Sequence, residues 1–205
     1  MTAVDVTALF LGLVEGRHGH FRLESGYHGR LWFDLDPLFA EPGRVEPFVG
    51  ALAASLRQYE VEAVCGPLLG GAFLAQLVAH ALGAEFYFTR RADDESSGGL
   101  YAASYRLPAA LRERVKGKRV AVVDDVMSAG SSLRATFEEL RAHGAETAAA
   151  GALLVLGRRG ADFFDAHAVP VEWVARDEYQ TWEPSRCPLC AAGVPVEDPA
   201  PTRIR

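Results

Sequence analysis

One strand–turn–helix segment constrains the fold of this chain more than any other feature. Four apolar residues at 120–123 precede Asp124 and Asp125, and a stretch rich in Ser and Gly follows at 128–132. An apolar pattern of helical spacing then begins at Leu133. A short, continuous apolar run is typical of a strand buried on both faces, as in a parallel sheet. We therefore predict an α/β fold with a parallel sheet flanked by helices.

The rest of the chain repeats this alternation of strand and helix. Apolar residues at helical spacing predict helices over residues 4–14 and 46–59, and a third from the turn at 66–71 to Leu82. Apolar or aromatic runs predict further strands at 31–35, 61–65, 85–89, 148–156 and 169–174. We predict one domain over residues 1–182 and an irregular, Pro-containing tail over 183–205.

Composition narrows the function. The 205 residues carry a net charge of -6, which argues against a nucleic-acid partner, since such proteins usually present a basic patch. No apolar run approaches the roughly 20 residues of a membrane span. The three cysteines do not form the framework of a secreted, disulfide-linked protein. We therefore expect a cytoplasmic protein with no membrane partner.

The Ser- and Gly-rich turn has the chemistry of a phosphate site. Its successive backbone N–H groups, its hydroxyls and the helix N-terminus beyond it favour an anion. The carboxylates of Asp124 and Asp125 are placed to accept hydrogen bonds from sugar hydroxyls. The alternative is an ordinary turn in which Asp125 or Ser131 only caps the helix. Neither GxxxxGK[ST] nor GxGxxG occurs in the chain, so the usual triphosphate and dinucleotide motifs are absent.

The segment at 122–132 resembles the phosphoribosyl pyrophosphate motif of the type I phosphoribosyltransferases, and within them the chain is most similar to the orotate phosphoribosyltransferases. The resemblance extends from Phe21 to Arg159. It includes, in the family's order, a substrate segment at 21–26, a pyrophosphate loop at 66–71, a basic pair at 90–91 that opens a catalytic loop, and a substrate segment at 156–160. It implies a type I phosphoribosyltransferase-like sheet with a small N-terminal hood.

The resemblance also implies an activity and a set of site residues. The chain would transfer phosphoribosyl from phosphoribosyl pyrophosphate to orotate or a related base, with release of pyrophosphate and with Mg²⁺ as cofactor. The catalytic residues implied are Asp124, Asp125, Arg90 and Arg91, and the two aspartates would hold Mg²⁺ in part through the substrate. The substrate-binding residues implied are Val126, Met127, Ser128, Ala129, Gly130, Ser131, Ser132, Leu69, Gly70, Ser25, Phe33 and Arg158. The family also implies a homodimer in which the loop at 90–101 reaches the neighbouring site.

Three departures from the family pattern leave a second function open. Glu24 replaces a usual lysine, and Gly70 or Gly71 replaces a lysine of the pyrophosphate loop. Acids at 93–95 stand where the catalytic loop usually has further lysine and histidine. Because lysine is well suited to phosphate, its loss favours the alternative of a non-catalytic regulatory protein that binds phosphoribosyl pyrophosphate or a nucleotide. The loop at 90–101 is either a lid, a solvated loop or, through its acids, a metal ligand.

Two further groups have several interpretations. The pattern favours surface positions for His18, His20 and His28, because no second metal-ligand group stands beside them in sequence. Cys187 and Cys190 favour a simple turn. Zinc and redox roles stay open, but a zinc site would need ligands from Cys65, a distant histidine or a second subunit.

Three aromatic residues lie near the predicted strand at 31–35. Tyr27, Trp32 and Phe33 either pack in the core, as aromatic residues in strands usually do, or stack on a base.

Overall fold

The computed structural model describes residues 5–92 and 99–199. The strands are β1 (Gly16–Arg22), β2 (His28–Phe33), β3 (Ala63–Pro67), β4 (Glu85–Arg91), β5 (Tyr105–Arg106), β6 (Arg119–Met127), β7 (Glu146–Leu156), β8 (Val171–Asp177) and β9 (Thr181–Trp182). The helices are α1 (Val6–Leu13), α2 (Asp36–Phe39), α3 (Pro42–Leu56), α4 (Gly70–Leu82), α5 (Ala109–Arg112), α6 (Ser131–Ala142), α7 (Arg159–Ala166) and α8 (Pro188–Ala191). Within those residues, no helix is both long and apolar enough to cross a membrane.

The main sheet has six strands in the order β5-β4-β3-β6-β7-β8. Its five longer strands are parallel, and only β5 pairs antiparallel, with β4. The predicted α/β fold with a parallel sheet flanked by helices is therefore confirmed.

Helices cover both faces of this sheet, and β6 shows why. Ala121 and Val123 are fully buried with apolar residues of α1, α3 and α4. Val120 and Val122 are fully buried with residues of α6 and α7 on the opposite face. Side chains alternate between the faces of a strand, so a continuous apolar run supplies both cores at once.

The strand order reverses between β3 and β6. From β3 the chain proceeds to β4 on one side, and later returns to place β6 on the other side. The pairing of β3 with β6 runs from Ala63–Val120 to Cys65–Val122, although both strands continue beyond it. Such a reversal leaves a crevice outside the carboxyl ends of the strands, where open α/β sheets bind ligands.

A second, three-stranded sheet stands beside this edge, with the antiparallel order β1-β2-β9. We call this sheet the hood, and its presence agrees with the predicted N-terminal hood. Sequence patterns did not predict β1 as a complete strand, and they missed β9.

The tail packs on the hood and differs from the irregular chain that the sequence predicts. It contains a 3-10 turn at Pro184–Arg186 and the short helix α8, each beginning at a proline, whose fixed φ suits a first helical turn. The Glu197 amide donates to the His20 carbonyl (2.7 Å), and the Arg22 amide donates to the Glu197 carbonyl (2.9 Å).

The prediction of three surface histidines is wrong for two of them. His20 is 1% and His28 is 6% exposed, because the tail covers β1 and β2 at this point. Beside them lies the Cys pair, which stands on the short helix α8 and at its N-cap, where the sequence favours a simple turn. We call the four residues the hood–tail cluster: His20, His28, Cys187 and Cys190.

Candidate active site

The acidic pair ends β6 at the crevice. Asp124 is 6% exposed, and its carboxylate accepts hydrogen bonds from the Ser132 hydroxyl (2.5 Å) and from the Asp125 amide (3.1 Å). The Asp125 carboxylate accepts a bond from the Val126 amide (2.8 Å). Both carboxylates are thus held by groups within the same nine-residue segment, which fixes their orientation.

Burial makes these carboxylates costly to ionise. Burial, followed by the charge of Asp125, raises the pKa of Asp124 well above its ordinary value, and the Ser132 hydroxyl opposes that shift only in part. Burial also raises the pKa of Asp125, against the hydrogen bonds from Asp124 and from the Val126 amide. Two close carboxylates, with no lysine or arginine among the described residues that line the crevice beside them, form a site for positive charge or for hydroxyl donors.

The turn after the acidic pair presents donors without partners. Gly130 has φ +72°, a left-handed conformation that glycine adopts without strain, and α6 begins directly after it. No side chain caps α6, so neither Asp125 nor Ser131 has the purely capping role of the alternative interpretation. Among the described residues, the buried hydroxyls of Ser128 and Ser131 have no hydrogen-bond partner. Free hydroxyls at an uncapped helix N-terminus form an anion site.

The loop between β3 and α4 faces this turn at very short range. A Cβ atom on Gly70 would lie 2.5 Å from the nearer carboxylate oxygen of Asp125. One on Gly71 would lie 2.6 Å from a carboxylate oxygen of Asp124. A side chain at Gly70 would therefore displace the Asp125 carboxylate, and one at Gly71 would also meet the Pro67 ring, so a lysine at either position would need local movement.

A cavity of about 270 Å³ lies between the hood and these two loops. Its size is close to the lower limit of small-molecule sites, roughly 300 Å³. It is lined by Leu23, Glu24, Ser25, Leu31, Trp32, Phe33, Pro67, Leu68, Leu69, Gly70, Tyr105, Asp124, Asp125, Val126, Ser128, Ala129, Gly130, Ser131, Ser132, Leu156 and Tyr179. Polar groups converge from the sheet edge, and aromatic and apolar groups from the hood.

Most of the predicted site residues line this one cavity, although they come from four separate segments. Four do not. Met127 is fully buried behind the turn, because its side chain lies among the apolar residues that pack between β6 and the helices α6 and α7. The Arg158 side chain is 74% exposed and forms an ion pair with Asp162 (3.3 Å). Arg90 lies over the Phe88 ring (5.3 Å), and Arg91 points toward the hood.

Arg91 and Tyr105 both contact Glu24. The Arg91 guanidinium donates to one carboxylate oxygen of Glu24 (3.1 Å), and the Tyr105 hydroxyl donates to the same oxygen (2.8 Å). Burial, then the Glu24 charge, raises the pKa of Tyr105 above its ordinary value, so this hydroxyl keeps its proton. The residue that departs from the family's lysine is thus partly neutralised within the chain.

Sequence reasoning missed two aromatic residues of the cavity. Tyr105 lies on the two-residue strand β5, and Tyr179 donates from its hydroxyl to the Leu31 carbonyl (2.6 Å). Neither stands in a motif. A polar loop followed by an isolated aromatic residue was the only available signal for Tyr105, and tertiary packing alone places Tyr179.

The far end of the predicted lid contacts the hood. The Tyr101 amide donates to the Ser25 carbonyl (2.9 Å), and the Tyr101 ring lies under the Arg134 guanidinium (4.2 Å). Arg159 lies over the Tyr27 ring (4.4 Å), so Arg159, rather than its neighbour Arg158, faces the hood. The acidic part of the lid, at 93–98, lies outside the described residues.

The turn at 124–132 has the groups of a phosphate site and lies where the strand order reverses, beside a hood with aromatic residues. This arrangement is typical of α/β proteins that bind nucleotides or sugar phosphates. Comparison with known proteins makes the class specific. Residues 44–184 match the family model of the phosphoribosyl transferase domain. The chain therefore belongs to that family, which confirms the resemblance found in the sequence.

Full-length relatives agree. The chain is 31% identical over 207 residues to an orotate phosphoribosyltransferase of Caldanaerobacter subterraneus, covering 100% of each. It is 33% identical to an orotate phosphoribosyltransferase of Carboxydothermus hydrogenoformans, covering 97% of this chain and 98% of the relative.

Solved structures share the fold at lower identity. An adenine phosphoribosyltransferase of Rhodothermus marinus superposes with a TM-score of 0.66 at 21% identity, over 85% of this chain and 100% of the other. An orotate phosphoribosyltransferase of Mycobacterium tuberculosis in complex with inorganic phosphate gives a TM-score of 0.60 at 19% identity, over 85% of this chain and 96% of the other.

Proposed function

We propose that this chain is a Mg²⁺-dependent phosphoribosyltransferase that transfers phosphoribosyl from phosphoribosyl pyrophosphate to orotate or a related base. One observation is central to the proposal. Two unpartnered buried hydroxyls, an uncapped helix N-terminus and two adjacent carboxylates, of which that of Asp124 is buried, converge within one turn. That set complements a phosphorylated ribose, whose phosphate needs donors and whose hydroxyls need acceptors.

The turn after β6 would hold the donor at two points. The hydroxyls of Ser128 and Ser131 and the first amides of α6 would bind the 5′-phosphate. The carboxylates of Asp124 and Asp125 would accept hydrogen bonds from the two ribose hydroxyls. Holding the ribose at both ends fixes C1 relative to the hood, which is the positioning that transfer requires.

The acidic pair also fits Mg²⁺. Carboxylate oxygens are its preferred protein ligands. The two acids are adjacent, and the described residues that line the cavity include no lysine or arginine to pair with them. Bound Mg²⁺ would supply charge neutralisation for the leaving pyrophosphate. The facing loop at 68–71 would present backbone groups to the same pyrophosphate.

The hood would hold the base. Trp32 and Phe33 of the hood line the cavity together with Tyr105 and Tyr179, so aromatic rings are available to a base. Glu24 brings a carboxylate to this end, which favours a base with a donor group facing it. Arg91 offsets that charge, since it lies on the same carboxylate. An anionic base such as orotate is therefore compatible with the cavity only while this ion pair persists.

Water must be kept from C1 as pyrophosphate leaves, because the sugar then has oxocarbenium-like character. The loop between Arg91 and Tyr101 would do this, and Tyr101 at its far end already donates a hydrogen bond to the Ser25 carbonyl. Arg90 and Arg91, which end β4 at the start of this loop, would supply positive charge near the departing pyrophosphate.

One observation favours the binding-protein alternative. Among the described residues that line the cavity, three carry carboxylates and none is lysine or arginine. A sensor needs only to bind its ligand, whereas an enzyme must also stabilise a leaving anion.

A pyrophosphate-release assay separates the two functions. Phosphoribosyl pyrophosphate and Mg²⁺ are supplied with orotate, then with uracil, cytosine, adenine and other bases in turn. Release that depends on one base establishes a transferase and identifies the base, and omission of Mg²⁺ should abolish it. Donor binding by calorimetry without release for any base would instead establish the sensor.

The Glu24→Gln variant tests the base end. Removing this charge should lower the KM for orotate by roughly fivefold, since a partly exposed charge contributes on the order of 1 kcal/mol. Glu113→Gln, at an exposed site remote from the cavity, is the matched control. A raised KM in Glu24→Gln would show that the carboxylate itself binds the base.

We further propose a homodimer, as the family implies. Leu69 and Phe73 are 48% and 46% exposed beside the cavity, where a second subunit could cover them. Light scattering of the purified protein should give twice the chain mass, and Phe73→Glu should halve it. A monomer at working concentration would rule out the dimer.

The one-domain boundary at residue 182 and the cytoplasmic location stay predictions.

A further inference from the structure

The hood–tail cluster joins side chains from opposite ends of the chain. His20 lies on β1 and His28 on β2, whereas the Cys187 and Cys190 side chains come from the start of α8. One candidate ligand atom from each residue lies within 4.8 Å of the other three. None of the four residues lines the candidate active site.

The spacing matches a tetrahedron. Zinc bonds of about 2.0–2.1 Å to nitrogen and 2.3 Å to sulfur require ligand–ligand separations of about 3.3 Å between nitrogens and about 3.5 Å between nitrogen and sulfur. His20 Nε2 is 3.0 Å from His28 Nδ1 and 3.4 Å from Cys187 Sγ. Cys190 Sγ is 3.7 Å from His20 Nε2 and 3.3 Å from His28 Nδ1. A central ion would need only small shifts of these atoms.

The protonation of His20 directs a lone pair into the cluster. Its Nδ1 lies 2.8 Å from the Val194 carbonyl oxygen, which can only accept, so Nδ1 must donate. In neutral imidazole Nε2 then carries no proton. A carbonyl that orients a ligating histidine in this way is the usual outer partner of a metal site.

Hydrogen bonding alone fits the cluster poorly. The single lone pair of His20 Nε2 has three close neighbours, the His28 nitrogen and the two sulfurs. It can accept fully from only one of them. A cation at the centre satisfies all four groups together, and two nitrogens with two thiolates favour Zn²⁺ among the common ions.

We propose that one Zn²⁺ ion binds the hood–tail cluster and fastens the C-terminal tail to the hood. With four protein ligands the site is closed, which is the arrangement of structural rather than catalytic zinc. Binding releases the two thiol protons, and the neutral histidines donate their lone pairs. Both cysteines are free thiols, as this requires.

One short turn connects the hood–tail cluster to the substrate cavity. His20 and His28 flank the turn at 23–27, which carries Glu24 and Ser25 into the cavity. Zinc would therefore hold together the two strands that flank the substrate-contacting turn. The metal site itself does not depend on the proposed function, since its test measures metal and not turnover.

The first experiment measures metal in protein purified without a histidine tag from zinc-supplemented culture. Mass spectrometry of the digested protein should find about one zinc per chain. Cys187→Ser with Cys190→Ser should lower that content at least tenfold. His18→Ala, an exposed histidine on the same strand, is the matched control and should retain zinc.

The second experiment uses the wild-type chain and so does not depend on the variant folding. Chelation under reducing conditions should lower the melting midpoint by about 5 °C or more, and one equivalent of Zn²⁺ should restore it. Co²⁺ added to the stripped protein should give the visible bands of a tetrahedral site and a thiolate charge-transfer band. Wild-type protein with about a tenth of an equivalent of zinc or less, and without cobalt bands, would overturn the proposal. A Cys187–Cys190 disulfide in freshly isolated protein would overturn it as well.

Discussion

The turn after β6 and the hood–tail cluster are both compact groups of polar side chains, but the chain builds them in opposite ways. The turn takes its carboxylates and hydroxyls from nine consecutive residues, 124–132, and its internal hydrogen bonds span at most eight positions. In the cluster, His20 and Cys187 are 167 positions apart. The first is a local conformation, and the second exists only after the hood and the tail have packed together.

This difference predicts how each site fails. The local turn depends on the exact groups that it contains, so substitutions there should change chemistry and leave the fold intact. The cluster depends on the packing of distant segments, so substitutions around it should change stability first.

The largest effect should come from Asp124→Asn combined with Asp125→Asn. The amides keep the shape but lose the charge that holds the ribose hydroxyls and Mg²⁺, so turnover should fall about a thousandfold. Circular dichroism should be unchanged. Asp165→Asn, at an exposed position on α7, is the control. Retention of the full rate would remove the acidic pair from the mechanism.

Phe21→Ala should test the assembled region. Phe21 is fully buried on β1, next to the backbone pairing with Glu197, and its loss should lower the unfolding free energy by about 3–5 kcal/mol. Hydrogen exchange should rise in β1 and β2 while β6 keeps its protection. Leu11→Ala, at a 43% exposed site on α1, should cost far less. An equal loss of protection in β6 would show that the two regions unfold as one unit.

Gly71→Ala should affect chemistry through geometry alone. The added Cβ would lie 2.6 Å from Asp124 and 2.6 Å from Pro67, so the loop or the carboxylate must move. A displacement of this size should lower turnover by about a hundredfold. Gly50→Ala, on α3 with nothing within 4 Å of its Cβ, should leave turnover unchanged. Equal rates in the two variants would contradict the tight fit of the loop against the carboxylates.

The smallest effect should be a pH dependence of stability without ligands. Burial raises the folded-state pKa of Asp124, so the folded state binds a proton that the unfolded state has already lost. Stability should therefore fall as the pH rises from about 4 through that folded pKa, by at most about 1.4 kcal/mol per pH unit for one proton.

Asp124→Asn removes the contribution of Asp124, leaves that of Asp125, and should be more stable than wild type at neutral pH, with the advantage vanishing near pH 4. Denaturant unfolding across this range measures it. A wild-type chain that gains relative stability with rising pH would reverse the sign and show that the carboxylate is stabilised by its surroundings.

The sequence by itself determined the class of fold and the position of the phosphate turn. The run at 120–123 is apolar at every position because β6 is covered on both faces, and such a run can be recognised from the sequence alone. The turn can be recognised for a related reason, since its acids, hydroxyls and glycine interact with one another over a few residues. The same local reasoning assigned Met127 to the substrate, because a motif gives order along the chain but not the face of the strand.

Tertiary structure alone decided what faces these local elements. It placed Glu24 against Arg91 and Tyr105, brought Tyr179 into the cavity, and buried His20 and His28 under the tail. The histidines looked like surface residues because their sequence neighbours include no ligand. Their partners are supplied by packing over more than 160 positions, and contacts at that separation leave no periodicity or spacing in the sequence.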